Sequence, residues 1–371
     1  MKAERRNRPD FILLMLALVL TSFGILMIFS AGGPYAKSTF NDMFYFVKDQ
    51  VFYTLAGLVV LFLASFANYR WYKALAYPIL GGSFILLILT YVPGISVSYN
   101  DARRWINIGI EFQPSEIYKV ALIIFLAKII IDFKKKNKPL IGYIVCVSAV
   151  MLSALTIFLQ PHLSAAIIIV LVGFVVIYVG GAKIQYLLLT VVPVLALGVL
   201  GVAKYGYMSD RIVSWQDPFN YQLEGGYQVV QSLYAIASGG LFGVGLGKST
   251  QKFLYIPEPQ NDFIFSIIAE ELGYIGVLII VALFGLLLWR GIRIAILAED
   301  LFGALLATGI SSLIFIQMLL NISVVTGLIP NTGITLPFFS YGGTSLIMLL
   351  GQIGILLNIS KYRVKNKELD L

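Results

Sequence analysis

The sequence predicts an all-α integral membrane protein with about ten transmembrane helices. Of its 371 residues, 59% are hydrophobic and 12% are charged, and the mean hydropathy is +0.88. This composition leaves too little polar surface to cover a soluble globule of that size. Apolar runs long enough to cross about 30 Å of hydrocarbon recur along the chain. Because a backbone inside lipid must satisfy its own hydrogen bonds, we expect these runs to be helices.

The longest connection between predicted spans lies between the seventh and the eighth. The predicted spans cover residues 11–31, 46–68, 73–93, 114–133, 140–159, 163–180, 184–203, 263–289, 301–325 and 344–360. The first span follows basic residues, as a signal peptide would. Its length of about 20 apolar residues and the absence of an A-x-A site indicate an uncleaved anchor. We therefore expect one membrane domain, 1–371, with a long extracellular loop at about 204–262 between helices 7 and 8.

Basic residues predict the orientation of the spans. When the spans alternate from a cytoplasmic N-terminus, most of the 27 Lys and Arg residues fall in cytoplasmic loops and tails, among them Arg8, Lys134, Arg290 and Lys361. This distribution follows the positive-inside rule, so both termini are predicted to be cytoplasmic. Anionic membrane lipids account for the net charge of +8, and no nucleic acid partner is predicted.

Three polar segments fall on the predicted outer surface, at residues 94–113, 204–262 and 326–343. The middle segment is the longest, and a loop of that length between spans is usually functional. Its interleaved glycines indicate tight turns and re-entrant backbone close to the membrane. Such irregular backbone persists there only when it is buried in protein or lines a cavity. The sequence therefore predicts a cavity that opens outward.

Asp262 is the first candidate functional residue, because it lies where the polar loop meets the apolar run that begins at Phe263. A carboxylate at the edge of hydrocarbon is costly to hold, which marks it as functional. Arg103 and Arg104 precede the interfacial Trp105. Their guanidinium groups suit an anionic lipid headgroup, and arginines that merely snorkel to the interface are the alternative.

Five further side chains are candidate ligands for a substrate. Glu116 lies one turn before Lys119 in the fourth span, and such a pair either lines the cavity or locks helices together. Lys252 is an outward basic residue of the long loop. Ser340 and Tyr341 lie in a segment rich in proline and glycine, which predicts a structured re-entrant element whose hydroxyls can bind polar ligands.

Neither nucleotide binding nor redox chemistry is indicated. Residues 243–249, GVGLGKS, are similar to a phosphate loop, but Phe242 stands where that motif needs glycine and no βαβ unit surrounds it. Cys146 is the only cysteine and lies within a span, so neither a disulfide framework nor a thiolate metal site is expected. Any reaction must therefore use a substrate that is already activated.

Three motifs carry a family resemblance. They are QPSE at 113–116, PEPQNDFIF followed by AEELG at 257–273, and TGLIPNTGITLPFFSYGGTS at 326–345. Together they resemble the SEDS family of bacterial cell-wall proteins, the FtsW, RodA and SpoVE group. The resemblance covers nearly the whole chain, and residues 231–358 are most similar to the FtsW and SpoVE branch. His162 and Ser164 depart from the family pattern QPDLGTA, and Asn261 stands where the family usually has Thr.

The resemblance implies a peptidoglycan glycosyltransferase that polymerises lipid II, an undecaprenyl-pyrophosphoryl disaccharide-pentapeptide, at the outer face of the bacterial cytoplasmic membrane. It also implies a class B penicillin-binding protein as partner. Asp262 is then the general base that takes the proton of the attacking sugar hydroxyl. Arg103, Arg104 or Lys252, or a divalent cation such as Mg²⁺, then balances the charge of the leaving pyrophosphate. No resident cofactor is implied.

Two other functions stay open at this point. A lipid II flippase would also need about ten helices, a polar cavity and charged groups inside the membrane. No inverted repeat of broken helices relates the two halves of the sequence, which disfavours this reading. The other alternative is a non-catalytic scaffold for the penicillin-binding protein, and the motif-rich outer loops argue against it.

Overall fold

The chain is mainly helical, in a computed structural model that describes residues 7–99, 102–192, 198, 206–222, 225–253 and 255–364. The first part contains helices α1 Phe11–Phe40, α2 Tyr45–Phe66, α3 Arg70–Ala74, α4 Ala76–Leu89, α5 Pro114–Lys135, α6 Pro139–Phe158 and α7 Leu163–Val179. Helix α8 is described over residues 184–192. The second part contains α9 Gly206–Gln216, α10 Tyr227–Gly239, α11 Ile264–Leu297, α12 Leu301–Val325 and α13 Gly343–Ser360.

Most predicted spans coincide with a described helix. By length and hydropathy α1, α2, α6, α11, α12 and α13 can each cross a membrane, and α4 and α7 are shorter apolar helices. Helix α5 has 22 residues and buries the charged side chains of Glu116 and Lys119. The span predicted at 184–203 falls largely outside the described residues, so the count of ten stays a prediction. The long loop is not a featureless connection, because it contains α9 and α10.

Asp10 ties three helices together at the end of the bundle opposite Asp262. Its carboxylate caps α1 by accepting a hydrogen bond from the Leu13 amide at 3.0 Å. It also forms a buried ion pair with Arg290 of α11. The backbone N–H of Asp10 donates to Ser360 Oγ of α13 at 3.0 Å. A buried ion pair needs such additional partners, and this one closes the bundle at that end.

The outer segment 94–113 folds into an antiparallel sheet that the all-α prediction omitted. Strands β1 Ser96–Tyr99, β2 Ala102–Asn107 and β3 Glu111–Phe112 pair in the order β1-β2-β3. Successive side chains of a strand point to opposite faces. The sheet therefore separates Arg103, which is exposed, from Arg104, which is half-buried.

Helix α11 is broken at Gly273, where the backbone has φ 67° and ψ −170°. Loop residues 240–245 fill the break. The Val244 amide donates to the Glu270 carbonyl at 2.9 Å, and the Tyr274 amide donates to a carbonyl of the same loop at 2.9 Å. These bonds satisfy the backbone groups that the break exposes, as is required next to hydrocarbon. The glycine-rich residues 240–245 of the long loop thus pack into the break in α11.

Alanine at position 273 should destabilise the protein. A Cβ there would lie 2.3 Å from the Gly243 amide nitrogen, and the positive φ is unfavourable for any L side chain. We expect Gly273→Ala to lower the free energy of unfolding by at least about 2 kcal/mol, seen as a lower thermal midpoint in detergent. Gly285→Ala is the matched control, because a Cβ at Gly285 in the same helix meets nothing within 4 Å. Equal midpoints for the two variants would contradict the prediction.

Candidate active site

Asp262 lies in a turn directly before α11. Asn321 of α12 holds this turn, because its Nδ2 donates to the Asp262 carbonyl at 2.8 Å and to the Ile334 carbonyl at 2.6 Å. Asn321 is fully buried within the apolar helix α12, where its polar side-chain amide needs hydrogen-bond partners. Asn321 therefore joins the segment before α11 to the segment 326–342.

Ser340 and Tyr341 form part of the wall beside this turn. Ser340 Oγ donates to the Asn261 carbonyl at 2.7 Å and accepts a backbone N–H of its own turn at 2.7 Å. The Tyr341 amide donates to the Gln260 carbonyl at 2.8 Å, and its hydroxyl donates to Asp49 Oδ2 at 3.0 Å. Both residues thus position the backbone that precedes Asp262. Their contact with a substrate stays a prediction.

The Asp262 carboxylate lies beside the backbone of Gly333 and near charged side chains. A Cβ on Gly333, which has φ 68°, would approach Asp262 Oδ2 to 3.1 Å. Burial raises the pKa of Asp262 to about 6, against the lowering effects of Arg104 and Arg211 and together with the raising effect of Glu258. Asp262 remains partly accessible, so a ligand can reach it. A carboxylate with a pKa near neutrality suits general base catalysis.

The two predicted arginines differ in their relation to this carboxylate. Arg104 donates a hydrogen bond to the Pro161 carbonyl, and its positive charge lowers the pKa of Asp262. Arg103 is exposed on the opposite face of β2. A third arginine that the sequence interpretation did not select, Arg211 of α9, donates to the Asn331 carbonyl at 2.8 Å and also acts on Asp262. The structure therefore brings Arg104 and Arg211 to Asp262.

Glu116 and Lys119 lie in a polar cluster with His162. Arg104 is near both this cluster and Asp262, because its charge lowers the pKa of His162 and of Asp262. Lys119 Nζ lies 2.7 Å from Glu116 Oε1, and both side chains are buried. Burial lowers the pKa of His162, which precedes α7, and the charges of Arg104 and Lys119 lower it further. These side chains therefore lie close together where β2, α5 and α7 meet. Their role in substrate binding stays a prediction.

Lys252 lies in a different cluster. Its Nζ is 2.9 Å from Glu271 Oε1 and 3.1 Å from Ser30 Oγ. The neighbouring Glu270 accepts hydrogen bonds from the Thr250 amide and hydroxyl, each at 2.9 Å. Glu271 is about two turns into α11, roughly 10 Å along the axis from the start of the helix. The structure thus separates Lys252 from the Asp262 turn.

A metal ion would have few protein ligands here. Among the residues that the structure describes, no group of three or more His, Cys, Asp or Glu side chains could hold one. Protein-bound Mg²⁺ usually has one or two carboxylate ligands and takes the rest from water and substrate phosphates. A divalent cation at Asp262 would therefore be held mainly by a pyrophosphate, and it stays a prediction.

Sequence comparison identifies the family. The model of the cell cycle protein family FTSW_RODA_SPOVE matches residues 10–365. The chain belongs to this family. Stage V sporulation protein E of Bacillus subtilis (strain 168) is 42% identical over 368 residues, which cover 96% of this chain and 98% of that protein. Probable peptidoglycan glycosyltransferase FtsW of Geobacter sp. (strain M18) is 41% identical over 356 residues, which cover 95% of this chain and 96% of that protein.

Solved structures share the fold. A chain from a peptidoglycan synthase complex, described for its coordination of polymerization and crosslinking, matches with a TM-score of 0.80 and 29% identity, covering 96% of this chain and 99% of that chain. Rod shape determining protein RodA of Thermus thermophilus matches with a TM-score of 0.69 and 28% identity, covering 96% of this chain and 98% of that chain. The predictions of a multi-pass membrane fold and of the SEDS family are confirmed.

Proposed function

We propose that this chain is a peptidoglycan glycosyltransferase that polymerises lipid II, with Asp262 as the general base. One observation carries the proposal. The partly accessible carboxylate of Asp262 lies in the turn before α11 and has a pKa raised to about 6. The positive charges of Arg104 and Arg211 partly offset this increase. The 41% identity to a probable peptidoglycan glycosyltransferase FtsW over nearly the whole chain supports the reaction class.

The proposed reaction needs one base and several cations. The 4-hydroxyl oxygen of an acceptor sugar forms a bond to the anomeric carbon of a donor, and its proton passes to Asp262. The bond from that carbon to pyrophosphate breaks, and the pyrophosphate leaves with the bonding electrons. It needs no proton if cations stabilise its charge, so a second catalytic carboxyl group is unnecessary. We propose that Arg104 and Arg211, whose charges lower the pKa of Asp262, provide this stabilisation.

We also propose a class B penicillin-binding protein as partner and an active site on the outer face of the membrane. The match to a chain of a peptidoglycan synthase complex supports the partner. The positive-inside distribution of Lys and Arg supports the orientation. With both termini cytoplasmic, the Asp262 end of the bundle faces outward and the Asp10 end faces the cytoplasm.

The test is polymerisation of lipid II by the purified full chain in liposomes, alone and together with its class B penicillin-binding protein. We expect glycan strands longer than one disaccharide, detected by gel electrophoresis of labelled lipid II. If well-folded preparations make no strands but move lipid II across the bilayer, the flippase is the correct function. Absence of both activities would leave the scaffold function.

The orientation can be tested with single cysteines. Cys146 is buried, so the unmodified chain should react little with an impermeant thiol reagent. Gln216 and Lys136 are both exposed, the first in the long loop and the second between α5 and α6. We expect Gln216→Cys to be labelled from outside intact cells and Lys136→Cys only after permeabilisation. The reverse pattern would move the active site to the cytoplasmic face.

The rate should depend on pH through Asp262. A general base acts in its deprotonated form, so kcat/KM should be low below the pKa of about 6 and reach a plateau above it. Since Glu258 raises that pKa, Glu258→Gln should move the midpoint to lower pH. The measurement is initial rate against pH at limiting lipid II with protein that stays folded. A midpoint that Glu258→Gln does not move, or no midpoint near 6, would contradict the assignment.

A further inference from the structure

A groove lies between the C-terminal half of α1 and loop residues 246–253. Its volume is about 760 Å³. Most of its lining is apolar, contributed by Leu26, Phe29, Pro34, Met43, Leu246 and Phe253. The groove is open at its side, since Leu26 and Phe253 are 44% and 58% exposed. Leu26 lies on the membrane-spanning α1, where an exposed side chain faces lipid, so the groove can admit a lipid chain directly from the bilayer.

The titratable side chains that line this groove are two lysines. Lys37 lies at the exposed rim, where its Nζ donates to Asn41 Oδ1 at 2.8 Å. Lys252 lies in the inner wall, where its Nζ donates to Ser30 Oγ at 3.1 Å and Glu271 balances its charge. The net positive charge of the groove is therefore that of Lys37 at the rim, and an apolar groove with a cation at its rim fits an amphiphile with an anionic headgroup.

The groove adjoins the segment that carries Asp262. A Cβ on Gly32 of α1 would lie 3.2 Å from Gln260 Cβ, so α1 packs directly against the residues that precede the catalytic candidate. The site thus has cations at two distances from the base. Arg104 and Arg211 act on Asp262 itself. The lysines of the groove lie on the α1 side of the turn.

We infer that this groove holds the acceptor lipid, with its pyrophosphate near Lys37 at the rim and its polyprenyl chain along the apolar wall. In the donor, the pyrophosphate is bonded to the reacting carbon, so it must lie beside Asp262, where Arg104 and Arg211 are. In the acceptor, one disaccharide separates the pyrophosphate from the reacting 4-hydroxyl. Its headgroup therefore belongs farther from Asp262 than Arg104 and Arg211, as Lys37 at the rim is. This inference rests on the proposed polymerisation, which brings two lipid-linked sugars together.

Two groove variants and two matched controls test the inference by kinetics. Lys37→Gln removes the rim cation, and Leu26→Trp fills the groove from an exposed position of α1. Lys48→Gln removes an exposed lysine outside the lining, and Val19→Trp adds the same indole on the same face of α1, two turns away, where Val19 is 51% exposed.

We expect Lys37→Gln to raise the KM for lipid II about two- to fivefold, as an exposed charge contact allows. Leu26→Trp should raise it about tenfold. The kcat at saturating lipid II should change little in both variants, and the two controls should resemble the unmodified chain. Groove variants that behave like their controls would overturn the inference, provided the unmodified chain polymerises lipid II. Failure of the unmodified chain would instead count against the proposed function.

A direct binding measurement identifies the occupant independently of activity. Photoreactive undecaprenyl phosphate should label residues 26–37 or 246–253 of the full chain in liposomes that contain excess phosphatidylglycerol. Leu26→Trp should reduce this labelling, and Val19→Trp should not. If added phosphatidylglycerol abolishes the labelling, or if the groove is not labelled, the groove holds bulk phospholipid and the inference is wrong.

Discussion

Asp262→Asn should abolish glycan synthesis while leaving the fold intact. Asparagine keeps the shape of the side chain but cannot take a proton from the acceptor hydroxyl, and loss of a general base typically costs about 10²- to 10⁴-fold in rate. The fold should persist because Asn321 bonds the backbone carbonyl of Asp262 rather than its carboxylate. Lipid II polymerisation and thermal unfolding of the purified variant measure the two effects separately.

Glu258→Gln is the matched control for this variant, because it removes a carboxylate four residues away. Glu258 is exposed and accepts a hydrogen bond from Asn261 Nδ2 at 2.7 Å. We expect this variant to keep most of its activity near neutral pH, where Asp262 is already deprotonated. Near-normal synthesis by Asp262→Asn, together with an inactive Glu258→Gln, would make Glu258 the base instead.

The helices and the position of Asp262 could be predicted because the signals are local. A long apolar run indicates a helix without knowledge of its neighbours, since the backbone in lipid has no other partner. A carboxylate at the end of such a run is conspicuous for the same reason. The sheet at 94–113 was missed because its strands have six residues or fewer, and β3 has only two. Strands this short carry little local sequence signal, and they form because they pair with one another in the folded chain.

The partners of Asp262 depend on contacts between distant parts of the chain. Arg211 was one basic residue among several in the long loop, and nothing in its neighbours indicates that it bonds Asn331, 120 residues later. Asn321 did have a usable signal, because an amide within the apolar α12 needs a buried partner. Its role in holding the Asp262 turn becomes evident only when 326–342 is packed against that turn.

Lys252 is a second cation whose partners could not be predicted from the sequence. The sequence interpretation grouped it with Arg103 and Arg104 as an outward cation for pyrophosphate. The structure pairs it with Glu271 and with Ser30, which is 222 residues away in the chain, and places it at the groove on α1. A charge in a loop cannot be assigned to one side of a site from sequence, because that depends on which helix the loop packs against.

Arg104→Ala should impair the use of lipid II far more than Arg103→Ala, although the two residues are adjacent. A charge-assisted contact is worth about 1.5–3 kcal/mol, so loss of Arg104 should lower kcat/KM about ten- to 150-fold. Arg103 is exposed on the other face of β2, and its loss should cost less than about fivefold. Arg104→Lys should rescue only in part, because lysine lacks the forked geometry of the guanidinium group.

The pH profile separates this role of Arg104 from a structural one. Because Arg104 lowers the pKa of Asp262, its removal should move the midpoint of the profile to higher pH, whereas loss of stability alone would lower the rate at every pH. Arg103→Ala should leave the midpoint in place and serves as the matched control. If both arginines merely snorkel to the interface, neither alanine variant will change kcat/KM at limiting lipid II or the midpoint. That result in well-folded variants would leave Arg211 as the cation that stabilises the leaving pyrophosphate.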